Sequence, residues 1–266
     1  MNFRKEYCPS QEIDPATFRE MAALVQEVVP GSQLENVLNF IQVPQGGEYC
    51  LLRNADSGRL LAYNYYHTRI AMTPFSSKPL PVVHFGGAYK HPELRRFNII
   101  WEMGRFYARR KLGPFWYLKR FVGITRTVNP RVAESWTHLF PETYPQPGET
   151  IPKDVHDFNC SYHARHLNME IRFEKCPYSV HPFTQPGIEF TDVWEKKYRS
   201  RVSDLNEFMV ETDMVKRVGE RYFLTDRLMH FVGYYDPAQA LYSRLSNHRR
   251  PGRVASPAAK VLLPSN

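Results

Sequence analysis

The sequence predicts a mixed α/β (α+β) fold in which helices flank a mostly antiparallel sheet, followed by a C-terminal extension. Over the first 140 residues, helical and β-rich segments follow in the order helix, three strands, helix, strand, helix. A chain of 266 residues of which 42% are hydrophobic can also build the core of one large domain. We therefore expect a core domain over 1–145, an extension packed on it over 146–247, and a disordered tail over 248–266.

The N-terminal third begins with helical periodicity and then changes to β periodicity. Asp14, which is followed by a proline, is typical of a helix start. A second short helical pattern covers 33–41. Over 48–89, three β-rich stretches are separated by the turn sequence ADSG and the loop-like stretch TPFSSKP, which predicts a three-stranded antiparallel meander. Gly86 and Gly87 in the last strand predict a bulge or a close backbone approach.

Helical periodicity returns at Asn98 and predicts a helix over 98–112, ended by a Gly-Pro pair. The sequence FWYLKRFVGITRTV then predicts a strand over 115–128, and Asn129, followed by proline, predicts the start of another helix. Beyond 145 the patterns weaken, and RYFLTDRLMHFVGYY fits a strand as well as a helix. One further amphipathic helix is predicted from the spacing of Trp194, Tyr198, Val202, Leu205 and Met209.

Composition excludes several classes of protein. There is no run of about 18 apolar residues, so the sequence predicts no membrane-spanning helix. The N-terminus lacks the apolar segment of a secretory signal, and the four widely spaced cysteines do not form the pattern of a disulfide framework. We therefore expect a protein of the reducing cytoplasm.

Positive charge is concentrated in one stretch. The net charge is +8, and 90–131 holds eleven Lys and Arg residues against the two acidic residues Glu93 and Glu102. Such local charge indicates an anionic partner, and a nucleic acid, an acidic carrier protein and a polyphosphate cofactor all fit it. Within it, Arg95 and Arg96 follow a strand and precede a helix start, where unpaired backbone N–H groups favour phosphate. A solvated basic face explains the same two arginines without a ligand.

The stretch from Tyr89 to Phe140 resembles the GNAT superfamily of acyl-CoA N-acyltransferases. In that family a strand ends in a V-HPE-x-R turn, followed by a glycine-rich loop and a helix, and then by a strand and a helix that begins with NPR. This chain has YKHPELRRFNII, the helix and strand predicted above, and then NPRVAESWTHLF. Over 14–89 the resemblance lies in the order of elements alone, and the segment after 145 has no counterpart.

The resemblance implies a co-substrate, either acyl-CoA or an acyl group on the phosphopantetheine of an acyl carrier protein, and no metal. Where the family has two small residues, this chain has Asn98 and Ile100. Where the family often has a tyrosine that protonates the departing thiolate, this chain has Trp136, whose indole cannot do so at neutral pH. The residues that the resemblance places at the cofactor are Lys90, Arg95, Arg96, Phe97, Asn98, Ile99, Ile100 and Asn129.

The mechanism implied by the resemblance is direct attack of an amine, carried by a small-molecule acceptor, on a thioester. His84 is the candidate general base because it lies on the strand before the turn and an imidazole titrates near neutral pH. Tyr89 is the candidate proton donor to the thiolate. Each of these residues also has an explanation without catalysis. His84 fits a hydrogen-bonded core histidine, Tyr89 fits a packing residue and Asn129 fits a helix N-cap.

Other functions stay open. The substitutions at Asn98, Ile100 and Trp136 favour a GNAT-like module that binds or regulates without catalysis. The basic stretch 90–131 could bind nucleic acid, with the aromatic residues of FWYLKR stacking on bases; this ranks last because no nucleic-acid module signature is present. The sequence HDFNCSYHARH contains zinc-ligand types, but its spacing matches no metal module, and histidines in a loop explain it better.

Overall fold

The computed structural model describes residues 2–29, 31–42, 46–94, 97–181 and 185–241. Its main sheet has the strand order β1-β2-β3-β4-β5-β11-β8-β7, and β6 pairs with β11 at the side. The strands are β1 (Phe3–Pro9), β2 (Glu48–Asn54), β3 (Leu60–Thr73), β4 (Ser76–Lys90), β5 (Phe121–Thr127), β6 (Glu142–Tyr144), β7 (Arg172–Phe173), β8 (Pro177–Val180) and β11 (Arg227–Tyr235); β9 (Val215–Val218) and β10 (Arg221–Leu224) form a separate hairpin.

The pairing of the strands is antiparallel except between β4 and β5, which run parallel. This confirms the predicted mixed, mostly antiparallel sheet, and the helix-strand-helix order after β4 confirms the GNAT-like fold expected from the resemblance. The predicted tail over 248–266 lies outside the described residues. The helices are α1 (Pro15–Val28), α2 (Leu34–Gln42), α3 (Ile99–Lys111), α4 (Pro130–Leu139), α5 (Lys153–Leu167), α6 (Thr191–Val193), which continues as a π-helical turn (Trp194–Tyr198), and α7 (Ser203–Glu211).

Helices cover both faces of the sheet. Because side chains alternate along a strand, Val83 and Phe85 of β4 face one side and Val82 and His84 face the other. The Phe85 face packs against α3, α4 and α7. On the His84 face, α1 and α2 cover β2 and β3, whereas α5 covers β4, β5 and β11. None of the described helices is long and apolar enough to cross a bilayer.

The predicted helix starts are confirmed by capping hydrogen bonds. Asp14 accepts from the backbone N–H groups of Ala16 and Thr17 at 2.8 and 2.9 Å, and Asn98 accepts from that of Trp101 at 3.1 Å. Asn129 does the same for α4. These local signals operate between residues two or three apart, so they can be recognised without the fold.

Several predicted elements were wrong. The loop predicted for TPFSSKP is only a two-residue turn at Pro74 and Phe75, because β3 ends at Thr73 and β4 begins at Ser76. β5 pairs with β4 only from Val82 onward, so Pro79 breaks no ladder bond on that edge. The strand predicted over 115–128 is shorter, since Trp116–Leu118 forms a 3-10 turn. HDFNCSYHARH lies in α5 rather than in a loop, and the helix predicted from Trp194 to Met209 is interrupted before α7.

The segment that fitted both helix and strand forms β10 and β11, and β1 was not predicted at all. Strand β11 belongs to the stretch expected to be an extension, yet it pairs with β5 in the middle of the sheet. Its residues alternate poorly because both faces of the strand are buried, which removes the period-two signal.

Two glycines let the ring of Phe140 lie flat across the sheet. Gly123 in β5 pairs with Gly233 in β11, and a Cβ atom added to them would lie 2.2 Å and 2.5 Å from the nearest ring atom of the fully buried Phe140. We expect Gly123→Ala to lower the free energy of unfolding by on the order of 1–3 kcal/mol, the usual cost of overpacking a core. Urea unfolding checks the value.

Gly104, which lies in α3, provides the matched control. A Cβ atom added to it would lie 3.5 Å from the Phe85 ring, an ordinary van der Waals distance. Gly104→Ala should therefore be neutral or stabilising, because alanine is the better helix former. A Gly123→Ala/Phe140→Leu double variant should recover part of the loss. Equal destabilisation by Gly123→Ala in the presence and absence of the Phe140 ring would contradict the explanation.

Candidate functional site

The two parallel strands separate at the end of a short paired segment. Pairing between β4 and β5 runs from Val82–Val122 to Phe85–Thr125 and ends there, where the Thr125 hydroxyl donates to the Phe85 carbonyl oxygen at 2.9 Å. Strand β4 continues to Lys90 along β3 alone. The two strands are therefore parallel over four residue pairs and separate beyond them.

A bulge accompanies the separation, as predicted. Gly86 and Gly87 both lie opposite Tyr65 of β3, because Phe85 pairs with Tyr66 and Ala88 with Asn64. A Cβ atom at Gly86 would lie 2.4 Å from the Tyr65 ring. The glycines are therefore required by close approach, and the bulge turns the end of β4 away from β5.

Two helix N-termini flank the gap between the strands. Parallel strands end at the same edge of a sheet, and each of these strands is followed by a helix, α3 after β4 and α4 after β5. Both helices therefore direct partial positive charge and backbone N–H groups to this edge, which favours an anionic ligand. Asn98 and Asn129 each occupy one backbone donor through their caps.

The remaining residues that the resemblance places at the cofactor have mixed environments. The Lys90 ammonium donates to the carbonyl oxygens of Leu94 and Phe97 at 3.1 and 2.9 Å, and burial lowers its pKa. Lys90 thus holds the turn after β4 in place. Ile99 is buried, while Phe97 and Ile100 are half-buried against the core. Arg95 and Arg96 lie outside the described residues.

Trp136 does not act as a proton donor at this gap. Its ring is buried, 5.1 Å from that of Phe85 and 4.3 Å from that of Phe140 between ring centroids. The indole is on the Phe85 face, whereas His84 and Tyr89 are on the opposite face. Any acid and base chemistry at the gap is therefore concentrated on the face that α1, α2 and α5 cover.

That face contains a buried histidine cluster, which we define as His67, His84, His163 and His230. Each is at most 2% exposed. His67 and His84 are cross-strand neighbours on β3 and β4, and the rings of His84 and His163 lie 6.0 Å apart. Four residues of α5 face the sheet, and three of them are polar: Asn159, Tyr162 and His163, beside Val155.

Part of the cluster forms a chain whose proton positions follow from the geometry. His163 Nδ1 is 2.8 Å from the Asn159 carbonyl oxygen, so Nδ1 carries the proton and Nε2 accepts. His230 Nδ1, 3.0 Å from that Nε2, must donate. Its own Nε2 then accepts from the Ser179 hydroxyl at 2.8 Å. The chain thus joins β8, β11 and α5 with both histidines neutral.

His84 stands outside this chain with both ring nitrogens unpaired. Neither nitrogen has a hydrogen-bond partner within the described part of the chain, and the same holds for His67 Nδ1, Asn159 Oδ1 and the Tyr162 hydroxyl. Buried polar atoms are normally hydrogen-bonded, so a group of them between the sheet and α5 indicates where a small polar ligand or solvent can bind.

The histidines are held in their neutral form. Burial lowers the pKa of His67 and that of His163 to about 4, and it lowers the pKa values of His84 and His230 well below the ordinary range. The positive charge of Arg126 acts in the same direction on His84, His163 and His230. A neutral imidazole with a free nitrogen is the form that can accept a proton.

Further polar side chains lie near the cluster. Arg126 is close enough to act electrostatically on His84, Tyr89 and His181, and Tyr198 is close enough to act on Tyr89. Each of Tyr89, Arg126, His181 and Tyr198 keeps part of its surface accessible. Burial lowers the pKa of Arg126 to about 10, so it stays charged at neutral pH. Burial raises the pKa of Tyr89 and raises that of Tyr198 to about 12, so both keep their phenolic protons.

Sequence reasoning singled out His84 and Tyr89 as candidates but did not indicate the residues around them. Arg126, Ser179, Tyr198 and His230 come from β5, β8, the π-helical turn and β11. A single polar residue inside an otherwise apolar run, as in LMHFVGYY, was the one available signal for His230. Nothing local indicated that His163 on α5 would meet it.

The histidines and cysteine of HDFNCSYHARH lie on different sides of α5. His163 faces the sheet, whereas His156 contacts the Cys160 sulfur at 3.6 Å and packs edge-on against Phe173. Among the described residues, no three His, Cys, Asp or Glu side chains are grouped so as to hold a metal ion.

Comparison with known proteins gave distant similarities. No family model matches the sequence, and no curated protein matches it. Among solved structures, histone acetyltransferase HPA2 and related acetyltransferase from Corynebacterium glutamicum is 10% identical over 56% of this chain and 90% of its own, with a TM-score of 0.36. Aminoglycoside 6'-N-acetyltransferase AAC(6')-Ih from Acinetobacter baumannii is 14% identical over 50% and 87%, with a TM-score of 0.35. A Trypanosoma brucei acetyltransferase is 12% identical over 42% and 78%, with a TM-score of 0.31. At these values the similarities do not define an activity, and the case for one depends on the site itself.

Proposed function

We propose that the protein is an acyltransferase that moves an acyl group from the thioester of CoA, or of a carrier-protein phosphopantetheine, to an amine of a small-molecule acceptor. The observation that carries the proposal is the separation of β4 from β5 directly after His84 and Phe85, at an edge where two helix N-termini meet. The gap admits a thioester arm between the strands, and the helix ends favour its phosphates.

The residues on the His84 face supply the proton transfers. His84 Nδ1 or Nε2 accepts the proton of the attacking amine, directly or through water, as the new C–N bond forms. The C–S bond then breaks, and Tyr89 donates its phenolic proton to the departing thiolate. The Tyr89 phenol keeps that proton at neutral pH because burial raises its pKa. Arg95 and Arg96 contact the pyrophosphate, and backbone N–H groups near the bulge stabilise the oxyanion.

Calorimetric titration with CoA and acetyl-CoA tests the proposal. We expect micromolar binding of both, and a loss of at least about tenfold in an Arg95→Ala/Arg96→Ala variant, because charge-assisted contacts to phosphate contribute on the order of 1.5–3 kcal/mol each. Arg165→Ala/Arg172→Ala, which removes the same charge from two exposed positions on and after α5, is the matched control. If the Arg95→Ala/Arg96→Ala variant bound CoA and acetyl-CoA as tightly as the unchanged protein, a role of these two residues in cofactor binding would be ruled out. Absence of any binding would leave only a carrier-protein donor or a protein without this co-substrate.

Two residues on the α3 and α4 side of the gap favour a second function, binding of the co-substrate without catalysis. Ile100 stands where the family has a small residue, and Trp136 places a buried indole where the family often has a proton donor. A module that binds the co-substrate without turnover would account for both. Binding of acetyl-CoA without acyl transfer to any of a panel of small amines would favour this alternative.

A further inference from the structure

The turn between α3 and β5 exposes apolar side chains at the opposite end of β5 from the gap. Within this turn, defined as the apolar turn over 113–118, Phe115, Tyr117 and Leu118 are 61%, 47% and 63% exposed. Single exposed apolar residues are common, but three within four positions form a patch. The turn leads into the N-terminal end of β5, whereas the gap lies at the C-terminal end. Acyl transfer therefore gives no reason for the patch.

The apolar turn is fixed to the core by ring contacts and hydrogen bonds. Trp116 is buried, with its ring 6.4 Å from that of Phe121 and 6.1 Å from that of Tyr235. The Tyr235 hydroxyl donates to the Tyr117 carbonyl oxygen at 3.1 Å, and the Leu118 N–H donates to that of Phe115 at 3.0 Å. A preformed turn of this kind loses little conformational entropy when it binds a partner.

Positive charge flanks the apolar turn. The sequence from 105 to 120 contains no acidic residue and has six basic ones: Arg105, Arg109, Arg110, Lys111, Lys119 and Arg120. Three of them are directed elsewhere, since Arg105 lies over the Trp101 ring, Arg110 lies over the Tyr7 ring and Lys111 pairs with Glu48. Arg120 pairs with Asp236 at 2.9 Å but keeps 61% of its side chain exposed, and Arg109 and Lys119 are exposed as well. The patch therefore has an apolar centre flanked by three exposed cations, which are its rim cations.

We propose that the apolar turn docks on the surface of a bilayer that contains anionic lipids. Phe115, Tyr117 and Leu118 enter the boundary between headgroups and acyl chains, while the rim cations lie among the lipid phosphates. Leucine offers no face for base stacking, which argues against nucleic acid. Three side chains are also small beside the roughly 800 Å² per partner that a stable protein interface needs.

Vesicle co-sedimentation tests the proposal on the full chain. The protein should bind vesicles that contain phosphatidylglycerol in phosphatidylcholine, and it should bind pure phosphatidylcholine vesicles much more weakly. Phe115→Ser/Leu118→Ser should weaken binding at least about tenfold, since each buried apolar side chain contributes roughly 1.5–3 kcal/mol. Lys119→Glu should weaken it by more than about fivefold, because each cation near the surface contributes about 1 kcal/mol.

Val218→Ser is the matched control, because Val218 is 54% exposed on the separate β9–β10 hairpin. It should bind vesicles as the unchanged protein does, and all of these variants should keep their melting temperature because the altered side chains are exposed. Binding that persists in Phe115→Ser/Leu118→Ser would overturn the proposal. Failure of the unchanged protein to bind either kind of vesicle at low salt would overturn it as well.

Discussion

His84→Asn is expected to lower kcat for acyl transfer by roughly 10²–10⁴-fold while changing the affinity for CoA little, because it removes the base and leaves the cofactor side of the gap intact. His84 is 2% exposed and has two unpaired ring nitrogens, within the described residues, next to the point where β4 leaves β5. Steady-state kinetics with acetyl-CoA and calorimetry with CoA separate the two effects.

The pH dependence of acyl-transfer activity tests the environment of His84 independently. Because the pKa of His84 lies well below the ordinary value, its base form is fully present at neutral pH. Activity should therefore show no loss due to His84 as the pH falls from about 8 to about 6, where an ordinary histidine would become protonated. A protonation limb near pH 6.5 that disappears in His84→Asn would contradict the assigned environment.

His67→Asn is the matched control for this prediction. It removes a second buried histidine, directly across from His84 on the same face, whose Nε2 accepts from Arg69 at 3.1 Å. We expect comparable loss of stability in the two variants but a much smaller loss of kcat in His67→Asn. Equal losses of kcat would mean that His84 acts through packing rather than through proton transfer.

The protein is expected to lose its whole free energy of unfolding, typically about 5–15 kcal/mol, as the pH is lowered from about 6.5 to about 4. In the folded protein, burial lowers the pKa of His67 and of His163 to about 4 and that of His181 to about 3, and it lowers those of His84 and His230 as well. The unfolded chain binds protons near pH 6.5 and the folded chain does not, so stability is complete above that pH. It falls by roughly 1.4 kcal/mol per pH unit for each such histidine until the folded pKa is reached.

Urea unfolding at several pH values measures this loss. Carboxylates whose pKa is lowered, such as Glu93 and Glu174, contribute only at lower pH, whereas Glu142, whose pKa burial raises, contributes with the opposite sign to the histidines. The comparison of variants between about pH 5 and about pH 6.5 therefore separates the contribution of a single histidine. His67→Gln should reduce the slope by about one proton. His138→Gln, at an exposed position on α4, is the control substitution. An unchanged slope in His67→Gln would show that this histidine is not held neutral.

The predictions that succeeded from sequence depended on interactions between close neighbours. Asp14, Asn98 and Asn129 cap helices through contacts two or three residues away, and the paired glycines of β4 mark a bulge. Failures occurred where distant elements decided the outcome. α5 was taken for a loop because its buried face carries polar residues, which erases the apolar stripe by which a helix is recognised.

The sequence by itself determined the class of fold, the helix starts, the bulge and the placement of His84 on the strand before the turn, because periodicity, capping and turn chemistry are local properties. Only the tertiary structure decided what surrounds His84. His163 and His230 lie 67 residues apart and become hydrogen-bonded because α5 crosses the face of a sheet in which β11 pairs with β5. Burial in that position, rather than residue type, keeps the cluster neutral, since removing a charged imidazole from water costs more free energy than its neighbours return.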